Sequence, residues 1–402
     1  MNTLPQNLYR TAQVREIDKL TIQQGGISGF ALMSRAGLAV LQTIRQRWTN
    51  AQNVAVFCGA GNNAGDGYIV AALALALGLR VQVFSLIAPE KLTSDALTAY
   101  QQYRQAGGVV LPFSADSPVV ADVLVDALLG SGLNRAVTGD YAEAIAVINA
   151  HAAPVLAVDS PSGLDTDTGT IWGHAVQAVC TVTFIALKQG LFTGLAAQYC
   201  GEIVFASLDV PAEIIAQVHA SARRVTHQAL QTRERCAHKG HFGHVLLIGG
   251  DSGYSGAVRL AAEAALRVGS GLVSVATRPE HALWLNVQRP ELMCHGVSTA
   301  QAMQSLIAKA SVIVIGMGLG QSDWAKALFE AALDSQKPLV VDADALNLLA
   351  QTPINHDQWV LTPHVGEAAR LLACTTTDIQ NDRFAAVSAL QQRYGGVVVL
   401  KG

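Results

Sequence analysis

Apolar runs and amphipathic stretches alternate along most of this chain. In the first half, largely apolar, β-branched runs at 54–58 (VAVFC), 81–86 (VQVFSL), 122–126 (DVLVD), 155–159 (VLAVD) and 180–185 (CTVTFI) predict strands. Helical periodicity occupies 65–78, 92–106 and 139–150. Such strands between amphipathic helices predict a parallel sheet covered on both faces. The rhythm breaks at 209–243, which is polar and basic and reads as a linker and domain entry. It restarts with HVLLIGG at 244–250, LVSVAT at 272–277, SVIVIG at 311–316, PLVVDA at 338–343, WVLTP at 359–363 and GVVVLKG at 396–402, with a helical pattern at 256–269. The turn motifs of the two halves differ, so the second is a further domain rather than a repeat. The expected fold class is α/β, with two three-layer αβα domains at 1–220 and 226–402. The chain stops inside or just after an apolar strand, and the expectation is that sequence continues beyond Gly402.

Composition agrees with this pattern. Half the residues are apolar, only 14% are charged, and 36 glycines suit tight turns after buried strands. A net charge of −3 gives no reason to expect nucleic acid or an anionic membrane as partner. Cys58, Cys180, Cys200, Cys236, Cys294 and Cys374 are scattered without CxxC spacing, which argues against structural zinc and a disulfide framework. The N-terminus lacks a signal-peptide core, and YIVAALALALGL is too short to span a bilayer. A cytoplasmic protein is expected.

Candidate chemistry gathers where strands end, which is where open α/β sheets bind ligands. CGAGNNAGDG at 58–67 follows the first strand. Its glycines allow close backbone approach, its helix start favours phosphate, Asn62 and Asn63 offer amides, and Asp66 adds a carboxylate. It has neither P-loop nor simple dinucleotide spacing, and the plainer alternative is a polar turn with Asp66 as helix cap. Asp126 ends a strand before ALLGSGLNR, and Asp159 ends another before SPSGLDTDTG. Either could be a capping turn, although the second loop carries more oxygen ligands than a turn needs. Oxygens from Asn63, Asp126 and Ser162 could converge on a hard cation. Lys188 could meet phosphate or the crevice carboxylates, or be a solvated lysine. In the second half, GGDSGYSGA, GMGLGQ, VVDADALN (Asp342, Asp344) and LTPHVGE (His364, Glu367) also follow strands. Singly, each is more often a cap or a satisfied polar residue than a catalyst; together they mark strand ends where sites are built.

In order and position, GNNAGDG, DALLGSGLNR and DSPSGLD resemble the epimerase part of the bifunctional NAD(P)HX repair enzymes. HKGHFGHVLLIGG, GYSGAVRLAAEAALRVGSGLVSVAT, GMGLG, VVDADALN, LTPHVGE and VVVLKG resemble their ADP- or ATP-dependent dehydratase part. The likeness covers nearly the whole chain; the family usually has glycine where this chain has Ala64. It implies a Rossmann-like N-terminal domain and a ribokinase-like C-terminal domain. It implies that Asn62, Asn63, Ala64, Gly65 and Asp66, with Gly130, Ser131, Gly132, Leu133, Asn134, Arg135 and Ala136, bind the hydrated nucleotide. It assigns potassium to Asn63, Asp126 and Ser162, and to Asp159 the contact with the damaged ring and the acid/base role. In the second domain it implies Ala257, Gly318 and His364 at the hydrate, and Lys401 at the start of the loop for ADP or ATP with Mg2+. Dehydratases of this kind continue past VVLKG into a Gly-rich anion hole with an essential aspartate, so dehydration is expected of a longer chain.

Two other classes compete with this reading. A ribokinase-like small-molecule kinase leaves GNNAGDG without a place and would phosphorylate a vitamin precursor. A non-catalytic nucleotide-binding module would bind NAD(P) tightly without turning over the hydrate. The sequence leaves open NADHX against NADPHX, ADP against ATP, and the oligomeric state, a homo-oligomer included.

Overall fold

The computed structural model of the chain describes residues 4–133, 135–226, 229 and 232–402. The chain divides into two compact units, meeting between residues 227 and 228.

In the first unit a seven-stranded parallel sheet runs in the order Val110–Pro112, Arg80–Ser85, Asn53–Cys58, Val123–Ala127, Val155–Val158, Cys180–Phe184, Glu202–Ala206. Side-chain alternation along Asn53–Cys58 shows why both faces are covered. Val54, Val56 and Cys58 pack with the helices Gly29–Arg47, Asn62–Ala76 and Ser94–Gln105. Ala55 and Phe57 pack on the opposite side with Ile145 and Ile148 of the Asp140–Ala150 helix. Chain order reverses between Asn53–Cys58 and Val123–Ala127, so the loops after these two strands diverge and leave a crevice.

The second unit repeats the architecture with its own connections. Its seven-stranded parallel sheet has the order Met293–Gly296, Leu272–Thr277, His244–Ile248, Val312–Ile315, Leu339–Val341, Trp359–Leu361, Val397–Val398. Leu246 and Ile248 face the helices Ala300–Lys309, Asp323–Asp334 and Ala343–Gln351, while Leu247 faces Ser255–Arg267. The α/β class and the parallel sheets covered on both faces are as expected.

Several elements differ from the sequence reading. The helices Thr11–Gln24 and Gly29–Arg47 were not anticipated. Neither were the edge strands Val110–Pro112, Glu202–Ala206 and Met293–Gly296, which are mostly half-buried or exposed and so lack the all-apolar signature. The 209–243 stretch is only partly a linker. It holds a short helix, Ala212–Ile215, and Ala222–Arg223 pairs with Asn7–Tyr9 in a small three-stranded sheet of the first unit. The helix expected from residue 65 begins at Asn62, with Gly61 as its N-cap, so Asp66 is not a cap. Ala64 is a buried helical residue without positive φ, so a Cβ fits there without backbone strain.

Candidate functional site

A cavity of about 630 Å³ opens at the reversal point of the first sheet. Its walls come from Gly61, Asn62, Asn63 and Asp66, from the 128–133 loop with Arg135, and from Asp159 and Lys188. Arg15 and Asp18 of the Thr11–Gln24 helix and Asp95 of the Ser94–Gln105 helix close it from a side the sequence did not disclose. The two loops nearest the reversal point touch closely. A Cβ on Gly59 would sit 1.9 Å from the Leu128 carbonyl oxygen, so only glycine lets the chain pass there.

The helix Asn62–Ala76 starts without a side-chain cap. Its first-turn amides therefore present a partial positive charge at the cavity mouth, which suits an anionic group. Of the next two expected ligand residues, Ala64 is fully buried and a Cβ on Gly65 would meet Met33, so any contact they make is through the backbone. Ala136 is exposed and outside the cavity lining, and Asn134 lies outside the described residues.

Under the cavity, Asp126 and Ser162 form one buried unit. The Ser162 hydroxyl donates to Asp126 Oδ1 at 2.6 Å, and the Ser162 amide donates to Oδ2 at 2.8 Å. The Leu128 amide also donates to Oδ1, and the Leu129 amide to the Ser162 hydroxyl. Burial pushes the Asp126 carboxyl up to about 6, against these hydrogen bonds. Asn63 is buried too, and both polar atoms of its side chain lack a partner among the described residues. An orphaned amide oxygen and a buried carboxylate without countercharge fit a hard monovalent cation, since the donor set is entirely oxygen.

Asp159 follows the strand Val155–Val158 with φ of 66°, a left-handed conformation that costs a non-glycine residue energy. Its carboxylate is held by the ammonium of Lys188, by the Thr183 hydroxyl at 3.3 Å and by the Phe184 amide at 3.4 Å. Lys188 is 1% exposed. Its ammonium also donates to Thr183 Oγ1 and to the Phe184 carbonyl, both at 3.1 Å, so its three protons are all engaged. Of the alternatives open for Lys188 in the sequence, the structure selects the crevice carboxylate. Burial raises the Asp66 carboxyl well above the usual range, helped by the Asp159 charge and opposed by Lys188. Burial also raises Asp18, with Asp95 adding to it.

The polar motifs of the second unit also meet at strand ends. Gly318, with φ of 60°, packs against Tyr254, and its carbonyl accepts from the Asp251 amide at 2.6 Å. Asp251 accepts from Arg278 Nε at 2.7 Å. Ala257 is exposed in the first turn of Ser255–Arg267, the helix that follows Tyr254. Lys401 donates to Asp342 Oδ1 at 2.6 Å and lies 3.9 Å from Glu367. His364 is exposed and caps the helix Val365–Leu372, its Nδ1 accepting from the Gly366 amide at 2.9 Å.

Residues 29–190 match the family described as YjeF-related protein N-terminus, and residues 245–402 match the family described as NAD(P)H-hydrate dehydratase. A bifunctional NAD(P)H-hydrate repair enzyme of Coxiella burnetii is 47% identical, covering 98% of this chain and 82% of that protein. The similarly named proteins of Escherichia coli and Vibrio cholerae are 41% and 39% identical, covering 100% and 99% of this chain and 78% and 82% of theirs. Among solved structures, a ribokinase-like superfamily protein of Enterococcus faecalis is 30% identical with a TM-score of 0.40, over 42% of this chain and 61% of that one.

Proposed function

Because this chain belongs to the family of bifunctional NAD(P)H-hydrate repair enzymes, we propose that its first unit interconverts the R and S forms of NAD(P)HX. In the complete chain, its second unit dehydrates the S form with ADP or ATP. The observation that carries the first assignment is the cavity itself. It places an uncapped helix N-terminus, which suits the diphosphate, beside a strand-end carboxylate held by a buried lysine.

The substrate carries a hydroxyl on the ring carbon next to the ring nitrogen. The nitrogen lone pair expels that hydroxyl when an acid protonates it, and water returns to either face. A carboxylate at the hydroxyl can give and take the proton, and Asp159 is assigned that role. No electrons change hands, so the nicotinamide is substrate rather than hydride carrier. In the second unit, Gly318, Ala257 and His364 are assigned to the hydrate and Lys401 to the adenine nucleotide. Phosphorylation turns the hydroxyl into a leaving group, which accounts for a kinase-like architecture in a lyase.

The test compares rates, because the two forms can also interconvert without enzyme. The whole chain, and residues 1–227 alone, are expected to speed equilibration of R- and S-NADHX well above the spontaneous rate. No acceleration by either would remove the epimerase assignment. Recovery of NADH absorbance from S-NADHX on adding ADP or ATP with Mg2+ reads the second unit.

Asn63, Asp126 and Ser162 are assigned to potassium. The ion would supply the positive charge that the buried carboxylate lacks and fix the loop carrying Gly130 against Asn63. Potassium is expected to raise the unfolding temperature of the first unit above that in equal tetramethylammonium, because an ion bound only by the folded state stabilises it. In Asp126→Asn this difference should vanish. Equal melting in the two salts for the unaltered chain would count against the site.

A further inference from the structure

We propose that Asp66 is a second proton-transferring residue of the epimerase site, working with Asp159 as an acid and base pair in which each serves one face of the ring. The proposal rests on the epimerase reading above and deepens it. Epimerisation at one carbon requires the hydroxyl to leave from one face and water to add to the other. A single fixed carboxylate reaches one face well, and a second group is needed for the opposite face.

The cavity supplies that second group from a different element. Asp159 stands at the end of Val155–Val158; Asp66 stands on the second turn of the helix that follows Asn53–Cys58, two strands away in the same sheet. Both line the same space. Their surroundings differ. Asp159 has an ammonium, a hydroxyl and an amide directed at its carboxylate. All three Lys188 protons are spent on Asp159, Thr183 and Phe184, so none remains for Asp66. Among the described residues no hydrogen bond ends on the Asp66 carboxyl. Its charged neighbours around the cavity are Asp18, Asp95 and Asp159, with Lys188, Arg15 and Arg135. Burial and the Asp159 charge favour the protonated form of Asp66. A carboxyl with no hydrogen-bond partner among the described residues, beside one held by an ammonium, is the arrangement that can divide acid and base between them.

The step balances without oxidant or reductant. Asp66 gives its proton to the departing hydroxyl, the C–O bond breaks with its electron pair, and water leaves as the nitrogen lone pair forms a C=N bond. A water oxygen then bonds to the opposite face of the same carbon, the C=N pair returns to nitrogen, and Asp159 takes a proton from that water. The product has the formula of the substrate. One proton has passed from Asp66 to Asp159, and it returns through cavity water before the next turnover. The reverse reaction exchanges the roles.

The experiment follows inversion and oxygen exchange together, in 18O-labelled water, with the two NADHX epimers separated and weighed by mass spectrometry. The spontaneous rates are subtracted. Asp66→Asn is expected to lower inversion about a hundredfold or more. It should still admit label, more slowly, into one epimer, the one whose hydroxyl faces Asp159. Asp159→Asn should admit label into the other epimer only. Should Asp159→Asn fail to fold, Asp66→Asn decides alone, since its side chain supports no hydrogen bond. Near-normal inversion by Asp66→Asn, label in both epimers, or label in neither would overturn the proposal. An unaltered chain that does not accelerate inversion would instead overturn the epimerase reading on which it rests.

Discussion

Lys188→Met is expected to cost the first unit about 3–5 kcal/mol of stability, the usual penalty for removing one partner of a buried ion pair. It should also remove most of the epimerase activity. Methionine fills similar space, so the loss is of the ammonium rather than of packing. Three acceptors then lose their donor at once: the Asp159 carboxylate, the Thr183 hydroxyl and the Phe184 carbonyl. The Asp159 side chain is only 15% exposed, so water replaces the ammonium poorly. Its left-handed backbone also loses the contact that offsets its strain. In a unit of this size the loss corresponds to a fall of roughly 10 °C in unfolding temperature. Epimerase rates should be compared well below that transition, so that loss of fold is not read as loss of chemistry. A variant that melts within a degree or two of the unaltered chain and keeps its rate would show that the pair contributes neither.

Gly316→Ala should destabilise the second unit by about 3 kcal/mol or more, through backbone strain added to overpacking. Gly316 has φ of 127°, and a Cβ there would lie 1.7 Å from the Asp342 carbonyl oxygen. Nothing flexible can yield, because the near neighbours are the Asp342 carbonyl, at the end of a paired strand, and the Ala345 Cβ at 3.0 Å. The Asp342 amide donates to the Ile315 carbonyl, and the Gly316 amide donates to the Ile248 carbonyl. Separating those strand ends would displace Gly318 on one side and the Asp342–Lys401 pair on the other. The first unit provides an internal control: its epimerase rate should stay unchanged. Calorimetry showing an unaltered transition for the second unit would mean that the strand ends part more easily than this geometry allows.

The strands at the centre of each sheet were legible because they are buried on both faces. VAVFC and LVSVAT carry apolar or small residues at nearly every position, a signature that survives without any knowledge of neighbours. Edge strands were not legible for the converse reason: Glu202–Ala206 and Met293–Gly296 meet water and keep polar residues. The amphipathic helices Thr11–Gln24 and Gly29–Arg47 were written in the periodicity of the N-terminal segment, where Val14, Ile17 and Thr21 fall on one buried face. That periodicity was the signal that could have found Arg15 and Asp18.

By itself the sequence determined the two α/β units, the strand ends at which polar residues gather, and the family. These follow from patterns local to each segment: burial periodicity, glycine at tight turns, and motifs of a few residues. Only the tertiary structure decided which polar residues act on one another. It buried Lys188 against Asp159, 29 positions away, set Asp126 on Ser162, and left the Asn63 amide without a partner. It buried Ala64 and Gly65 while Asp66, on the same helix, faced the cavity beside Asp18 and Asp95. The physical reason is that the state of a charge depends on its desolvation and on the charges a few ångströms away. Those neighbours come from strands and helices distant in sequence, so the chain must fold before one carboxyl of the cavity can be told from another.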